Sequence, residues 1–163
     1  MPIFNHWYRN MIYLYSTLIF VCVYFGVNIS RRFSIRNKFY IEFLDFLKVY
    51  EENLNFRQDN YRDLAEKFIG TEESEFKSLL KSLCLGGVER SYEFFSKKEI
   101  DAAKAMLYSL GHADEYTEGQ VVKHLQFLVR ERCNITKEKK DKYSTLSIKI
   151  SLLMGLLLVI LLL

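Results

Sequence analysis

The sequence predicts an all-α protein, an antiparallel helical bundle flanked by an N-terminal and a C-terminal transmembrane helix. Three observations carry that expectation. Two long apolar runs lie near the two ends of the chain, residues 11–29 and 146–163. The charged segment between them repeats its apolar residues at steps of three and four, the period of a helix buried on one face. Strong turn formers are scarce, with seven glycines and a single proline, Pro2, in 163 residues.

The second run organises the chain. From Leu152 it reads LLMGLLLVILLL. A helix rises about 1.5 Å per residue, so about 20 residues match a hydrocarbon core of about 30 Å, and residues 144–163 have that length. Lys149 is its one charge, a turn inside the start, where a lysine stem reaches the headgroups. A buried core helix of a soluble domain is normally shorter and keeps some polar spacing.

Charge follows the same division. Every Asp and Glu, and every Lys and Arg except Arg9 and Lys149, lies between Arg31 and Lys142. A formal net charge of +3 is too small to argue for nucleic acid. Cys22, Cys84 and Cys133 are far apart and form no CxxC, as in a domain kept on the reducing side of a membrane.

In chain order, residues 1–10 form a short extracytoplasmic start, with Trp7 and Tyr8 placed as interfacial aromatics. Residues 11–29 carry no charge and are long enough to span, though Tyr13, Tyr15, Tyr24 and Asn28 make them less apolar than the second run. A cleaved signal peptide is the rival reading. It would put basic residues before the apolar run and a small-residue site after it, whereas here Arg31, Arg32, Arg36 and Lys38 follow the run. An uncleaved span is therefore expected. A second basic cluster, Lys137, Lys139, Lys140 and Lys142, precedes the last span. Short flanks rich in Lys and Arg stay in the cytoplasm, so residues 30–143 are expected there with both ends on the far side. Anionic lipid is the natural partner of such juxtamembrane lysines, and a solvated helix end explains residues 137–142 better than a nucleic-acid patch.

The central segment reads as five or six helices. Phe39, Phe43, Phe46, Leu47, Tyr50 and Leu54 make one stripe, and Tyr61, Leu64, Ala65 and Phe68 a second, closed by Gly70. Thr71 opens a third helix with Glu72 and Glu73 at its positive end and Phe76, Leu79, Leu80 and Leu83 as its buried face, ended by Gly86-Gly87. A short helix over 89–95 follows. Ser96 to Glu99 fits a capping box, in which side chains satisfy the free N–H groups of the first turn. Ile100, Ala103, Leu107 and Leu110 line that helix and Gly111 stops it. Thr117 to Gln120 is a second capping box, opening a long helix with Val121, Leu125, Leu128 and Val129 on one face. That helix runs through Lys142, and its junction with the span near Tyr143-Ser144 admits either one rod or a kink. No stripe can be buried by its own helix, so the helices pack on one another.

Catalytic motifs are missing from this pattern. His6, His112 and His124 have no Cys or acidic spacing of a metal site. Cys84 and Cys133 have no adjacent base, and no GxxxxGK[ST], GxGxxG, GxSxG or HExxH occurs. Asp114 and Glu115 read as a solvated loop. The expectation is a protein without enzymatic chemistry, cofactor or small-molecule substrate.

One resemblance covers nearly the whole chain. A span ending at Gly26 is followed by a basic stretch from Arg31 to Arg36 and a helix ending in Glu51-Glu52. A helix over 96–110 closes in Leu110-Gly111, Asp114 and Gln120 lead into the last helix, and the tail reads GLLLVILLL from Gly155. This order resembles the stage III sporulation protein AB family of endospore-forming bacteria. The chain departs from that family in a longer interval from Asp114 to Gln120, in Asn53 after the acidic pair, and in more Phe, Tyr and Lys. The family is similar to the F-type inner-membrane platform proteins of type II secretion and type IV pilus machines, whose cytoplasmic helical bundles contact a secretion ATPase. The resemblance thus implies a scaffold in the mother-cell membrane around the forespore. Its partners would be a secretion-type ATPase and the other proteins of a sporulation channel complex, with no catalytic residues of its own.

Overall fold

The structure, a computed structural model, describes residues 3–56, 60–71, 73–86, 91–111 and 115–162. Within them the protein is all-α: helices α1 (Ile3–Phe56), α2 (Tyr61–Ile69), α3 (Glu75–Cys84), α4 (Lys97–Tyr108) and α5 (Glu115–Leu162), with no strand among the described residues. The chain divides into two compact units, one made of Met1–Ser34 with Glu138–Leu163 and the other of Ile35–Lys137.

Nothing between residues 27 and 56 interrupts a helix, since the stretch holds neither Gly nor Pro. The first apolar run and the first stripe of the central segment are accordingly one helix of 54 residues. The same continuity makes α5 a single helix of 48 residues through Tyr143-Ser144. Each long helix contains a segment long and apolar enough to cross a membrane, and only 6% of either apolar window is buried within the protein. Core helices of soluble proteins pass the same length test but are mostly buried, so these two apolar segments are not part of a core of this chain.

The Ile35–Lys137 unit is built around the inner part of α1. Phe39, Phe43, Phe46, Leu47 and Tyr50 are all buried, and they meet Leu64 and Ala65 of α2, Phe76, Leu79 and Leu80 of α3, Ile100, Ala103 and Leu107 of α4, and Val122, Leu125 and Val129 of α5. Its centre is aromatic. Phe76 stacks on Phe43 with ring centroids 5.0 Å apart and meets Phe39 and Phe68 edge-on at 5.6 and 6.2 Å. These are the offset and edge-to-face arrangements that ring quadrupoles favour.

Helix boundaries follow capping chemistry. Gly70 ends α2 at φ 53°, as its place after the second stripe predicts. Ser96 and Glu99 form the reciprocal capping box of α4. Gly111 turns the chain after α4 at φ 81°, a conformation that a side chain resists.

Three expected boundaries are corrected. The third helix opens at Ser74 rather than Thr71: Ser74 accepts from the Lys77 N–H at 3.2 Å, and its hydroxyl is also anchored on the Glu42 carboxylate of α1. A tertiary partner decides between two possible caps, while Glu72 lies outside the described residues. Residues 91–96 form a turn, not the end of a helix, with the Phe95 N–H donating to the Tyr92 carbonyl at 3.1 Å. Glu89 and Gly87 lie outside the described residues. Thr117 does not cap α5, which already begins at Glu115. Glu118 turns inward instead, is 2% exposed, and accepts from the Tyr50 hydroxyl at 3.0 Å and the Gly111 N–H at 2.6 Å. The buried face of α5 also shifts, to Val122, Leu125 and Val129, with Val121 and Leu128 half-buried.

Candidate functional site

The second unit, Met1–Ser34 with Glu138–Leu163, pairs the apolar part of α1 with that of α5 through small side chains. On α1 the seam uses Cys22, Gly26 and Ser30, four residues apart. On α5 it uses Ser147, Ser151 and Gly155, also four apart, preceded by Ser144. A spacing of four returns to the same helix face, and small residues there let two backbones approach closely, the usual route to helix pairing inside a bilayer.

The distances show how close that approach is. A Cβ added at Gly26 would lie 2.5 Å from the Ser151 Oγ and 3.1 Å from the Ser147 carbonyl oxygen. One added at Gly155 would lie 3.3 Å from the Cys22 Cβ and 3.4 Å from the Ile19 Cα. The Ser30 and Ser144 hydroxyls bond each other at 2.6 Å, and the Ser147 hydroxyl reaches the Gly26 carbonyl at 3.4 Å. Cys22 with Gly155, Gly26 with Ser151 and Ser30 with Ser144 fix an antiparallel pairing. Above the serines, Phe33 stacks on Tyr143 at 5.9 Å. The seam's four-residue spacing is visible in the sequence, but its apolar neighbours hide it from a reading based on hydropathy alone.

Away from the seam the pair is apolar and uncovered. Phe20 is 73% exposed, and Leu153, Ile160 and Leu161 are exposed as well. Lys149 is also exposed.

The eight basic flank residues fall into two groups. Arg31, Arg32, Lys139, Lys140 and Lys142 belong to the unit that holds the apolar pair, and all but the half-buried Lys140 are exposed. Lys142 lies over the Tyr143 ring at 5.5 Å. Arg36, Lys38 and Lys137 belong to the bundle. Arg36 is half-buried, ion-paired with Glu99 and set over the Phe95 ring at 5.8 Å, while Lys38 makes an i,i+4 pair with Glu42 at 3.6 Å. Arg36 therefore ties α1 to α4 within the bundle.

The bundle's titratable groups are held in structural roles. Burial pushes the Cys84 thiol up, against a hydrogen bond from Tyr61 and the nearby Arg62, and burial likewise raises Cys133. Both are thus less ready than a free cysteine to act as thiolates. Burial and the Glu118 carboxylate raise the Tyr50 phenol. His124 is exposed on α5, and among the described residues no group of His, Cys, Asp and Glu is arranged to hold a metal. His112 and Asp114 lie outside the described residues, as do the side chains of His6, Trp7, Tyr8, Arg9 and Glu115. An open cleft of about 320 Å³ between α1 and the start of α3 is lined by Lys38, Glu42, Ser74, Glu75 and Ser78. Within α1 Lys38 pairs with Glu42, whose carboxylate also accepts from the Ser74 hydroxyl across the α1–α3 contact.

Such an arrangement of small residues can hold two helices together in an apolar solvent. No family model, curated protein or solved structure matches the chain.

Proposed function

We propose that this chain is a non-enzymatic membrane scaffold, anchored by two spans and presenting the Ile35–Lys137 bundle in the cytoplasm. The observation that carries this reading is the seam of Gly26, Ser30, Ser147, Ser151 and Gly155, which pairs two otherwise uncovered apolar helices. Such packing suits helices surrounded by lipid, where close backbone approach replaces the hydrophobic effect as the driving force. The basic residues Arg31, Arg32, Lys139, Lys140 and Lys142 mark the cytoplasmic edge and meet anionic headgroups.

The resemblance to the stage III sporulation protein AB family supplies the finer proposal. In it the scaffold sits in the mother-cell membrane around the forespore and couples a secretion-type ATPase to the rings of a trans-envelope channel complex. The bundle acts as an adaptor, without a substrate or cofactor.

In-cell crosslinking and pull-down of the tagged full chain from sporulating membranes tests both levels. Recovery of a secretion-type ATPase together with other sporulation membrane proteins is the expected result. Recovery from membranes without them leaves a two-span helical adaptor unrelated to sporulation. Release of the protein by carbonate wash overturns the scaffold reading itself.

A further inference from the structure

The face of α1 opposite the seam carries Tyr13, Thr17, Tyr24 and Asn28, while Tyr15 and Ser16, the other hydroxyl-bearing residues of the first apolar run, lie outside it. At about 100° per residue, Tyr13, Thr17, Phe20, Tyr24 and Asn28 fall within a sector of about 80°. Cys22, Gly26 and Ser30 occupy the other side of the helix. All five residues of the stripe are exposed, Tyr13 at 63% and Tyr24 at 65%. Thr17 donates to the Leu14 carbonyl at 2.8 Å and so keeps its acceptor sites. The Tyr24 ring meets that of its neighbour Phe25 edge-on at 6.3 Å, and among the described residues Asn28 makes no hydrogen bond through its side chain.

Resting on the membrane reading, we propose that a second copy of this chain packs against this stripe, making a parallel pair joined by the Asn28 amides and Tyr24 hydroxyls. Lipid chains offer Thr17 and Tyr24 no hydrogen bond, Asn28 lies in the last turn of the span before Arg31, and polar side chains within a span are found facing other helices. The partner within the chain is already fixed, because α5 meets the opposite face. The outward face of α5 beyond Lys149 is Leu, Ile and Met, which supplies no donor or acceptor. A second copy supplies what is missing at the right depth. Every copy inserts with the same topology, so Asn28 meets Asn28 and Tyr24 meets Tyr24. A carboxamide carries both donors and an acceptor, and a phenol carries one of each, so both groups are complementary to themselves. One polar residue on an otherwise apolar seam is also how paired helices fix their register.

The test uses the full chain in membranes with Cys22, Cys84 and Cys133 replaced by Ser. Single cysteines are placed at Thr17, Tyr24 and Asn28 on the stripe, and at Leu14, Phe25 and Leu157 as exposed controls elsewhere. Oxidation is expected to give homodimers at the three stripe positions, at least fivefold above the controls. In the wild-type background, Asn28→Leu lowers the dimer fraction in single-molecule photobleaching at least threefold, and Asn28→Gln restores it. Uniform crosslinking, monomers throughout, or a stripe that crosslinks to a different protein overturns the proposal. A carbonate wash run in parallel keeps this outcome separate from failure of the membrane reading, because a monomer that stays in the membrane sinks only the pairing.

Discussion

Glu99 joins two interactions in one side chain. Its carboxylate accepts from the Ser96 N–H at 3.0 Å, completing the capping box of α4, and pairs with Arg36 of α1. Burial alone would raise its pKa, but the Ser96 backbone and hydroxyl bonds, then Arg36 and Arg132, outweigh burial and hold it below the usual glutamate value. A carboxylate depressed in the folded state stabilises the protein above its unfolded pKa of about 4.3. That contribution is lost as pH falls through the lower folded value. Glu99→Gln, which keeps the N3 side chain of the box and removes only its charge, is therefore expected to lower the unfolding free energy by up to about 1 kcal/mol at pH 7, the size of a partly exposed ion pair. The difference from wild type should narrow as pH falls through that lowered value, because both side chains then become neutral. Urea melts followed by circular dichroism across an acid pH series check this, and a gap that stays constant would show that the charge is not the cause. Glu118 shows the limit of reading residues from spacing. Thr117-x-x-Gln120 has the form of a capping box, yet α5 already runs from Glu115 and Glu118 is buried against Tyr50 and Gly111. Those partners lie 68 and 7 positions away and leave no local trace in the sequence.

Among the elements, the α1–α5 seam is open to a direct chemical test. The position of a Cβ at Gly155, 3.3 Å from that of Cys22, is close to the separation of a disulfide, about 3.8 Å. Gly155→Cys is expected to form an intramolecular disulfide with Cys22 on oxidation, read as a mobility shift on a non-reducing gel after alkylation of Cys84 and Cys133. Placing the cysteine at Leu157, on the exposed side, should give no such shift. A bond formed equally from both positions would mean that the two helices do not hold this register. The same element shows what was legible in advance. Both apolar runs, the α1 stripe from Phe39 to Tyr50, the Gly70 and Gly111 stops and the Ser96 box follow from periodicity and capping alone. The pairing of the runs does not, because a hydropathy pattern marks apolar length and is silent on which face is smooth. The start of α3 was equally hidden, since Thr71 and Ser74 are both acceptable caps and the choice rests on Glu42, 32 residues earlier.

For the whole molecule, the division at Ile35 and Lys137 predicts that the bundle folds without the apolar pair. Every buried apolar residue of the core lies between Phe39 and Val129, inside those limits. The two ties nearest the cut ends, Arg36 to Glu99 and Thr136 to Asn37 at 3.5 Å, have both partners within the unit. Removing residues 1–34 and 138–163 therefore deletes no core side chain and orphans no partner of these bonds. The fragment 35–137 is expected to be water-soluble, strongly helical, and to unfold in one cooperative urea transition. At about 0.05–0.15 kcal/mol per residue, a unit of about 100 residues has a stability of about 5–15 kcal/mol. Phe76→Ala, at the aromatic centre, should lower it by about 3–5 kcal/mol, the usual cost of emptying a buried phenyl site. A fragment that keeps its helical signal but melts without a cooperative transition would place the organising contacts of the bundle in the apolar pair. For the scaffold proposed above, a bundle thermodynamically independent of the apolar pair keeps the shape of the surface it offers whatever that pair packs against.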